Sequence, residues 1–210
     1  MTASPITPTS RLDAGESSRW ADAPYSAETA DLFIPIILGT ARHGRKSTRV
    51  AGAVIDLIKA RSMMTDVIDV ADYRLTATGD EADGLDRYRE LMVAADGLVI
   101  VAPEYNHSYP GELKLLLDSE FSAYERKPVG FVSVSSGLVG GTRLVEQLRL
   151  LTTALRMVPV SPAVHVVDVD QALDEDGRLA SSSLEQVAND MLDEVAWFAQ
   201  ALVLARAGRP

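Results

Sequence analysis

Beyond residue 31 the chain alternates short continuous apolar runs with longer stretches whose apolar residues recur every three or four positions. The run "LFIPIIL" (32–38) predicts a buried strand, in which Pro35 must stand where no ladder N–H is needed. Residues 47–61 then place Val50, Val54, Leu57 and Ile58 on one helical face. A second strand is expected at "TDVIDV" (65–70), followed by a polar loop over 74–84 and a helix over about 85–95. "GLVIVA" (97–102) predicts the third strand, and Pro110 opens a helix running to residue 118. The fourth strand is "PVGFVSVS" (128–135), and Leu144, Leu148, Leu151 and Leu155 stripe the helix after it. "PAVHVVDV" (162–169) predicts a fifth strand, and Leu184, Val187, Met191, Val195, Phe198 and Leu202 mark a long closing helix.

Five strands alternating with five helices predict an α/β fold: a parallel sheet covered on both faces, connected by right-handed crossovers. The count fits a flavodoxin-like three-layer sandwich with strand order 2-1-3-4-5 better than a six-stranded dinucleotide fold. Residues 1–31 are rich in Ser, Thr, Ala, Asp and Pro and lack periodicity. They are expected to be a disordered extension, or an arm that docks through Trp20 and Tyr25, ahead of a single domain over 32–210.

Composition narrows the function classes. A chain of 210 residues with 47% apolar and 24% charged residues suits one soluble domain. A net charge of −10 argues against a nucleic-acid or anionic-membrane surface. With no cysteine there is no disulfide, thiolate nucleophile or thiolate metal site. No secretory signal and no run of roughly 18 apolar residues is apparent, so a cytoplasmic enzyme or binding protein is expected. The acidic balance makes one basic cluster, Arg42, Arg45, Lys46 and Arg49, a local anomaly.

In a sheet of this order, ligands bind beyond the carboxyl ends of the strands, between strands 1 and 3. The loops leaving strands 1, 3 and 4 converge there. The first, "LGTARHGRKST" (38–48), nearly spells the triphosphate loop G-x-x-x-x-G-K-[ST], but Arg45 intervenes between Gly44 and Lys46–Ser47. Thr40 and Ser47 offer hydroxyls, Arg42 can fork onto phosphate oxygens, and the following helix presents free N–H groups. No magnesium-binding Asp stands at the end of strand 3, which exits into Pro103-Glu104-Tyr105-Asn106. That second loop offers a planar heterocycle a stacking face and polar groups, with His107 at its lip. Glu104 has no partner carboxylate nearby in sequence that would mark it as a general base. In the third loop, "SSGLVGGTR" (135–143), Gly137, Gly140 and Gly141 let backbone approach a flat ligand.

"PEYNHSYPGELKLLLD" (103–118) resembles the P-E-Y-N-x-S-x-P-G-x-L-K-x-x-x-D hallmark of the NADPH-dependent FMN reductase family, which includes quinone, azo-dye and chromate reductases. "GTARHGRKS" is similar to that family's FMN-phosphate loop, and "SSGLVGGTRLVEQLR" (135–149) resembles its glycine-rich turn beside the flavin ring. The likeness runs from about residue 33 to 166. It implies that Thr40, Arg42 and Ser47 hold the FMN phosphate. Pro103, Glu104, Tyr105 and Asn106 would flank the isoalloxazine, and Ser135, Ser136, Gly137 and Gly140 would form the opposite wall. It implies no protein acid or base as a catalytic residue and no metal. The implied activity is ping-pong: hydride passes from NADPH or NADH to FMN N5, then to a quinone-like or other small acceptor. A homodimer or homotetramer completing the flavin site is implied too. Leu115–Leu116 and Ser119 depart from the family's frequent Asn-Ala pair and Trp. Two other classes stay open at this point: a flavodoxin-like electron carrier without nicotinamide activity, and a phosphotransferase built on the near-P-loop.

Overall fold

The computed structural model describes residues 32–73, 75, 84–137 and 139–207. The expected extension over 1–31 and most of the expected loop over 74–84 lie outside them. Five parallel strands, β1 (Ile36–Leu38), β2 (Val67–Asp69), β3 (Leu98–Pro103), β4 (Pro128–Val134) and β5 (Val158–Val166), form one sheet in the order 2-1-3-4-5. Five helices alternate with them: α1 (Ser47–Ala60), α2 (Leu85–Ala94), α3 (Gly111–Asp118), α4 (Thr142–Ala154) and α5 (Ser182–Ala207). This is the expected flavodoxin-like sandwich. Among the described residues no helix is long and apolar enough to cross a membrane.

Both faces of the sheet are buried, which explains why its central strands read as continuous apolar runs. Along β3, Val99 and Val101 join the core shared with α1 and α5, while Leu98, Ile100 and Ala102 join the core shared with α2, α3 and α4. Gly97, just before β3, lets Pro128 of the next strand come close, and Gly130 inside β4 does the same for α5. A Cβ at 130 would lie 3.0 Å from the Met191 sulfur.

Strand β2 is shorter than the expected 65–70, giving way to a 3-10 turn over 70–72, and prolines shape the starts of β1 and β5. The stretch 32–35 does lie alongside its neighbours: the Ile34 and Ile36 N–H groups donate to the carbonyls of Met64 and Asp66 (2.8 and 2.9 Å). Pro35 accepts from the Val99 N–H (3.0 Å) but can return nothing, so the regular ladder starts only at Ile36. The Asp96 carboxylate takes up the Phe33 N–H at 2.9 Å in the same region. Strand β5 begins at Val158 rather than 162 and ends at Val166 rather than 169. Pro159 and Pro162 are tolerated because β5 is the edge strand, and the register shifts between Val129 and Phe131 of its neighbour.

Candidate functional site

The carboxyl edge of the sheet carries a cleft of about 450 Å³. The loop after β1 forms one side, the start of the loop after β3 and the β4 exit form the other, and Val169 closes it from beyond β5. Of the residues expected here, Thr40, Arg42, Ser47, Pro103, Glu104, Tyr105, Ser135 and Ser136 line it. Asn106, Gly137 and Gly140 are not among the lining residues.

Gly39 launches the first loop, and its place is set by close approach. A Cβ there would lie 2.7 Å from the Ala102 Cβ and 2.9 Å from the Leu113 side chain. The loop is then fastened on both sides. Toward α3, the Thr40 hydroxyl donates to Glu112 Oε1 at 2.9 Å and the Ala41 N–H donates to the same oxygen at 2.9 Å. Having given its proton to Glu112, the Thr40 hydroxyl can only accept from Tyr105, whose hydroxyl lies 3.0 Å away. It also accepts a long bond from the Arg42 N–H (3.3 Å). Burial pushes the Glu112 carboxyl up. The N–H groups of Glu112 itself and of Ala41, with the Thr40 hydroxyl, outweigh it and hold the carboxyl below its ordinary value.

Toward β2, the guanidinium of Arg45 grips Asp69 at the carboxyl end of that strand. Nη1 donates to Asp69 Oδ1 at 2.8 Å, and Nη2 pairs with Oδ2. Nη1 also reaches the Thr40 carbonyl, and Nε donates to the Thr48 hydroxyl at 3.1 Å. Lys46 turns the other way, to Asp170 beyond β5. The basic cluster is therefore divided: Arg42, Arg45 and Lys46 all line the cleft, but Arg45 and Lys46 are engaged with carboxylates, while Arg42 is exposed and has no ion pair with a described carboxylate.

Ser47 is the first residue of α1 and is 2% exposed, yet its hydroxyl has no hydrogen-bond partner. A buried hydroxyl without a partner costs free energy, on the order of 1–3 kcal/mol. The head of α1 has neither a side-chain cap nor an acidic residue in its first turn. Unpaired hydroxyl, helix N-terminus and Arg42 together present a donor set suited to a phosphomonoester.

The second loop makes a tight turn. Tyr105 and Ser108 exchange backbone bonds of 2.9 and 3.0 Å across Asn106 (φ 49°) and His107 (φ 68°). Two positive φ values give it the character of a type I′ hairpin turn, and they carry Asn106 and His107 out to an exposed tip. Glu104 faces α4: its carboxylate accepts from the Leu144 N–H (3.4 Å) and lies 3.5 Å from Arg143.

The third loop leaves β4 at Ser135. Ser136, Gly137 and Val139 are exposed. Gly140 is buried at the loop's base, where a Cβ would meet Val167 at 3.0 Å and His165 at 3.1 Å. Gly141 (φ 74°) would bring a Cβ to 2.8 Å from Ser133. These two glycines serve the packing of loop on strand, while Gly137 stands at the open rim.

The model of the family described as NADPH-dependent FMN reductase matches residues 33–171. The chain belongs to that family. An FMN-dependent NADPH-azoreductase of Staphylococcus aureus is 28% identical over 175 residues, covering 78% of this chain and 93% of the relative. Among solved structures, FerB, a flavoenzyme NAD(P)H:(acceptor) oxidoreductase from Paracoccus denitrificans, superposes with a TM-score of 0.70 at 18% identity. That match spans 81% of this chain and 98% of FerB. The apo form of an NADH:FMN oxidoreductase (EMOB) gives 0.65 at 22% identity, spanning 79% and 89% of the two chains. At these identities the structural matches speak for the fold. As an FMN reductase family member, the chain carries its cleft where the expected loops converge. Beyond the expected residues, His43, Gly44, Arg45, Lys46, Val134 and Val169 also line the cleft, and Glu112 braces its first loop from α3. Arg45 belonged to a visible basic cluster, and Glu112 stood inside the second motif. Nothing in sequence marked Val169 as a wall.

Proposed function

We propose that this chain is an FMN-dependent NAD(P)H oxidoreductase that reduces small planar acceptors such as quinones or azo compounds. Family membership supports the reaction class, and the buried, unpaired hydroxyl of Ser47 at the head of α1 carries the cofactor assignment. In this reading Ser47 and Arg42 donate to the FMN phosphate, and Thr40 shapes the loop around it through its bonds to Glu112 and Tyr105. Pro103, Glu104, Tyr105 and Asn106 border one side of the flavin; Ser135, Ser136, Gly137 and Gly140 border the other.

When bound, FMN supplies the capacity to take a hydride from NADPH or NADH and pass reducing equivalents on. The chain's own residues bind and orient. The Glu104 carboxylate caps α4 beside Arg143 and steadies the cleft wall where the β3 and β4 exits meet. Glu112 stays ionised, so it keeps accepting from Ala41 and Thr40 and holds the loop's entry against α3. No side chain is assigned a compulsory proton transfer.

The proposal extends to a cytoplasmic homodimer or homotetramer, with residues 1–31 as an appendage to a catalytic domain over 32–210. Sedimentation tests the assembly, cell fractionation the compartment, and FMN binding by a chain lacking 1–31 the appendage. The decisive experiment is anaerobic titration of the FMN-reconstituted protein with NADPH and NADH. The flavin absorbance should bleach and return on adding a quinone. Bound FMN that responds to a redox protein but to neither nicotinamide would return the electron-carrier reading.

A further inference from the structure

Arg45 is the residue that spoils the P-loop spelling, and its guanidinium is taken up by acceptors of the protein itself. Its donors fix three separate places: the Thr40 carbonyl at the loop's entry, the Thr48 hydroxyl in the first turn of α1, and both oxygens of Asp69 at the end of β2. The ion pair is well shielded, with side-chain exposures of 18% and 16%. Asp69 is held in turn, since its Oδ1 accepts from the Ala71 N–H at 2.9 Å. A planar fork with bidentate contacts sets angle as well as distance, which an ammonium group cannot do. Ser47, whose hydroxyl is unpaired, stands along the chain between two of those points, Thr40 and Thr48.

We infer that Arg45 and Asp69 form a strut that shapes the phosphate-binding loop, making Arg45 a positioning residue and the pair a determinant of FMN over unphosphorylated riboflavin. The inference rests on the flavin reading above. Its content is geometric: the strut holds Ser47, the α1 head and Arg42 in one arrangement before ligand arrives. An unbraced loop would bear that ordering cost at binding.

Charge and geometry predict opposite signs for one substitution. Removing Asp69 takes a negative charge away from a phosphate site, so electrostatics alone would tighten FMN binding. Loss of the strut weakens it. The test measures FMN and riboflavin affinities of the full-length apoprotein by flavin fluorescence quenching, for wild type, Asp69→Ala, Arg45→Ala and the double variant. Asp69→Ala should weaken FMN roughly tenfold or more, a loss typical of charged hydrogen bonds. Riboflavin affinity should move less than about twofold, since a merely damaged fold would lose both ligands. The double variant should bind FMN no worse than Arg45→Ala alone, the non-additivity of a coupled pair. Asp69→Asn, which keeps one acceptor, should fall in between and serves if the alanine variant folds poorly. Unchanged or tighter FMN binding by Asp69→Ala, or equal losses for FMN and riboflavin, would overturn the strut while leaving the flavin reading standing. Wild-type protein that binds no FMN would overturn both.

Discussion

The loops after β1 and β4 both carry glycines and both open onto the cleft, but they are built in opposite ways. The first is fastened before any ligand arrives, to α3 through Glu112 and to β2 through Asp69. The loop after β4 is closed by local bonds, such as the Gly137 N–H to Ser135 Oγ (2.9 Å) and Gly140 N–H to Gly137 carbonyl (3.4 Å), and leaves Ser136, Gly137 and Val139 exposed. A phosphate is one small anion of fixed shape, and a rigid donor set suits it. The loop after β4 is tied at its base, where Ser135 exchanges backbone bonds with Val166 and Val169 (3.0 and 3.2 Å), and its exposed tip carries fewer such ties among the described residues. In the proposed site, the stronger bracing falls on the phosphate side.

That contrast can be broken by substitution. The largest loss is expected for Gly39→Ala, because the Ala102 Cβ 2.7 Å away belongs to a strand and cannot yield. Overpacking of this kind costs about 1–3 kcal/mol and should appear as a lowered melting temperature of the apoprotein. Arg42→Ala should weaken FMN retention about tenfold, with flavin potential little changed; equilibrium dialysis of FMN measures this. Ser47→Ala should separate stability from binding. It removes an unpaired buried hydroxyl, so the apoprotein should melt no lower than wild type while FMN dissociates several-fold more readily.

A smaller effect is expected from acid. The Glu112 carboxyl is held below its ordinary value, so its stabilisation is complete above the unfolded value and is lost as pH falls through the folded one. FMN retention should therefore decline only below the ordinary carboxylate range, and Glu112→Gln should flatten that decline. The smallest effect belongs to Gly137→Ala. The nearest atom to its Cβ would be Ser135 Oγ at 3.5 Å, and stability should shift by less than about 0.5 kcal/mol. A large loss there would end the contrast between the loops.

The order of elements and the sheet topology were legible because both faces of the sheet are apolar and the helices carry clear stripes. Strand ends were less so. Pro35 interrupts bonding inside an apolar run, and Pro159 and Pro162 disguise an edge strand whose carbonyls and side chains still serve it. In the site, residue types at the sheet's carboxyl edge were readable, and partners were not. Arg45 meets Asp69 across 24 positions and Thr40 meets Glu112 across 72, distances over which sequence carries no directional signal. The arginine that looked like a flaw in a nucleotide motif is explained by its reach to another strand.

The irregular β5 has a consequence for how molecules meet. Its prolines remove two N–H groups, Arg149 occupies the carbonyls of Val160 and Ser161 (both 2.7 Å), and Glu194 takes the Ser161 N–H at 3.0 Å. Along that stretch little is left for a stray strand to zip onto, so the β5 border of the sheet is insulated against edge-to-edge stacking.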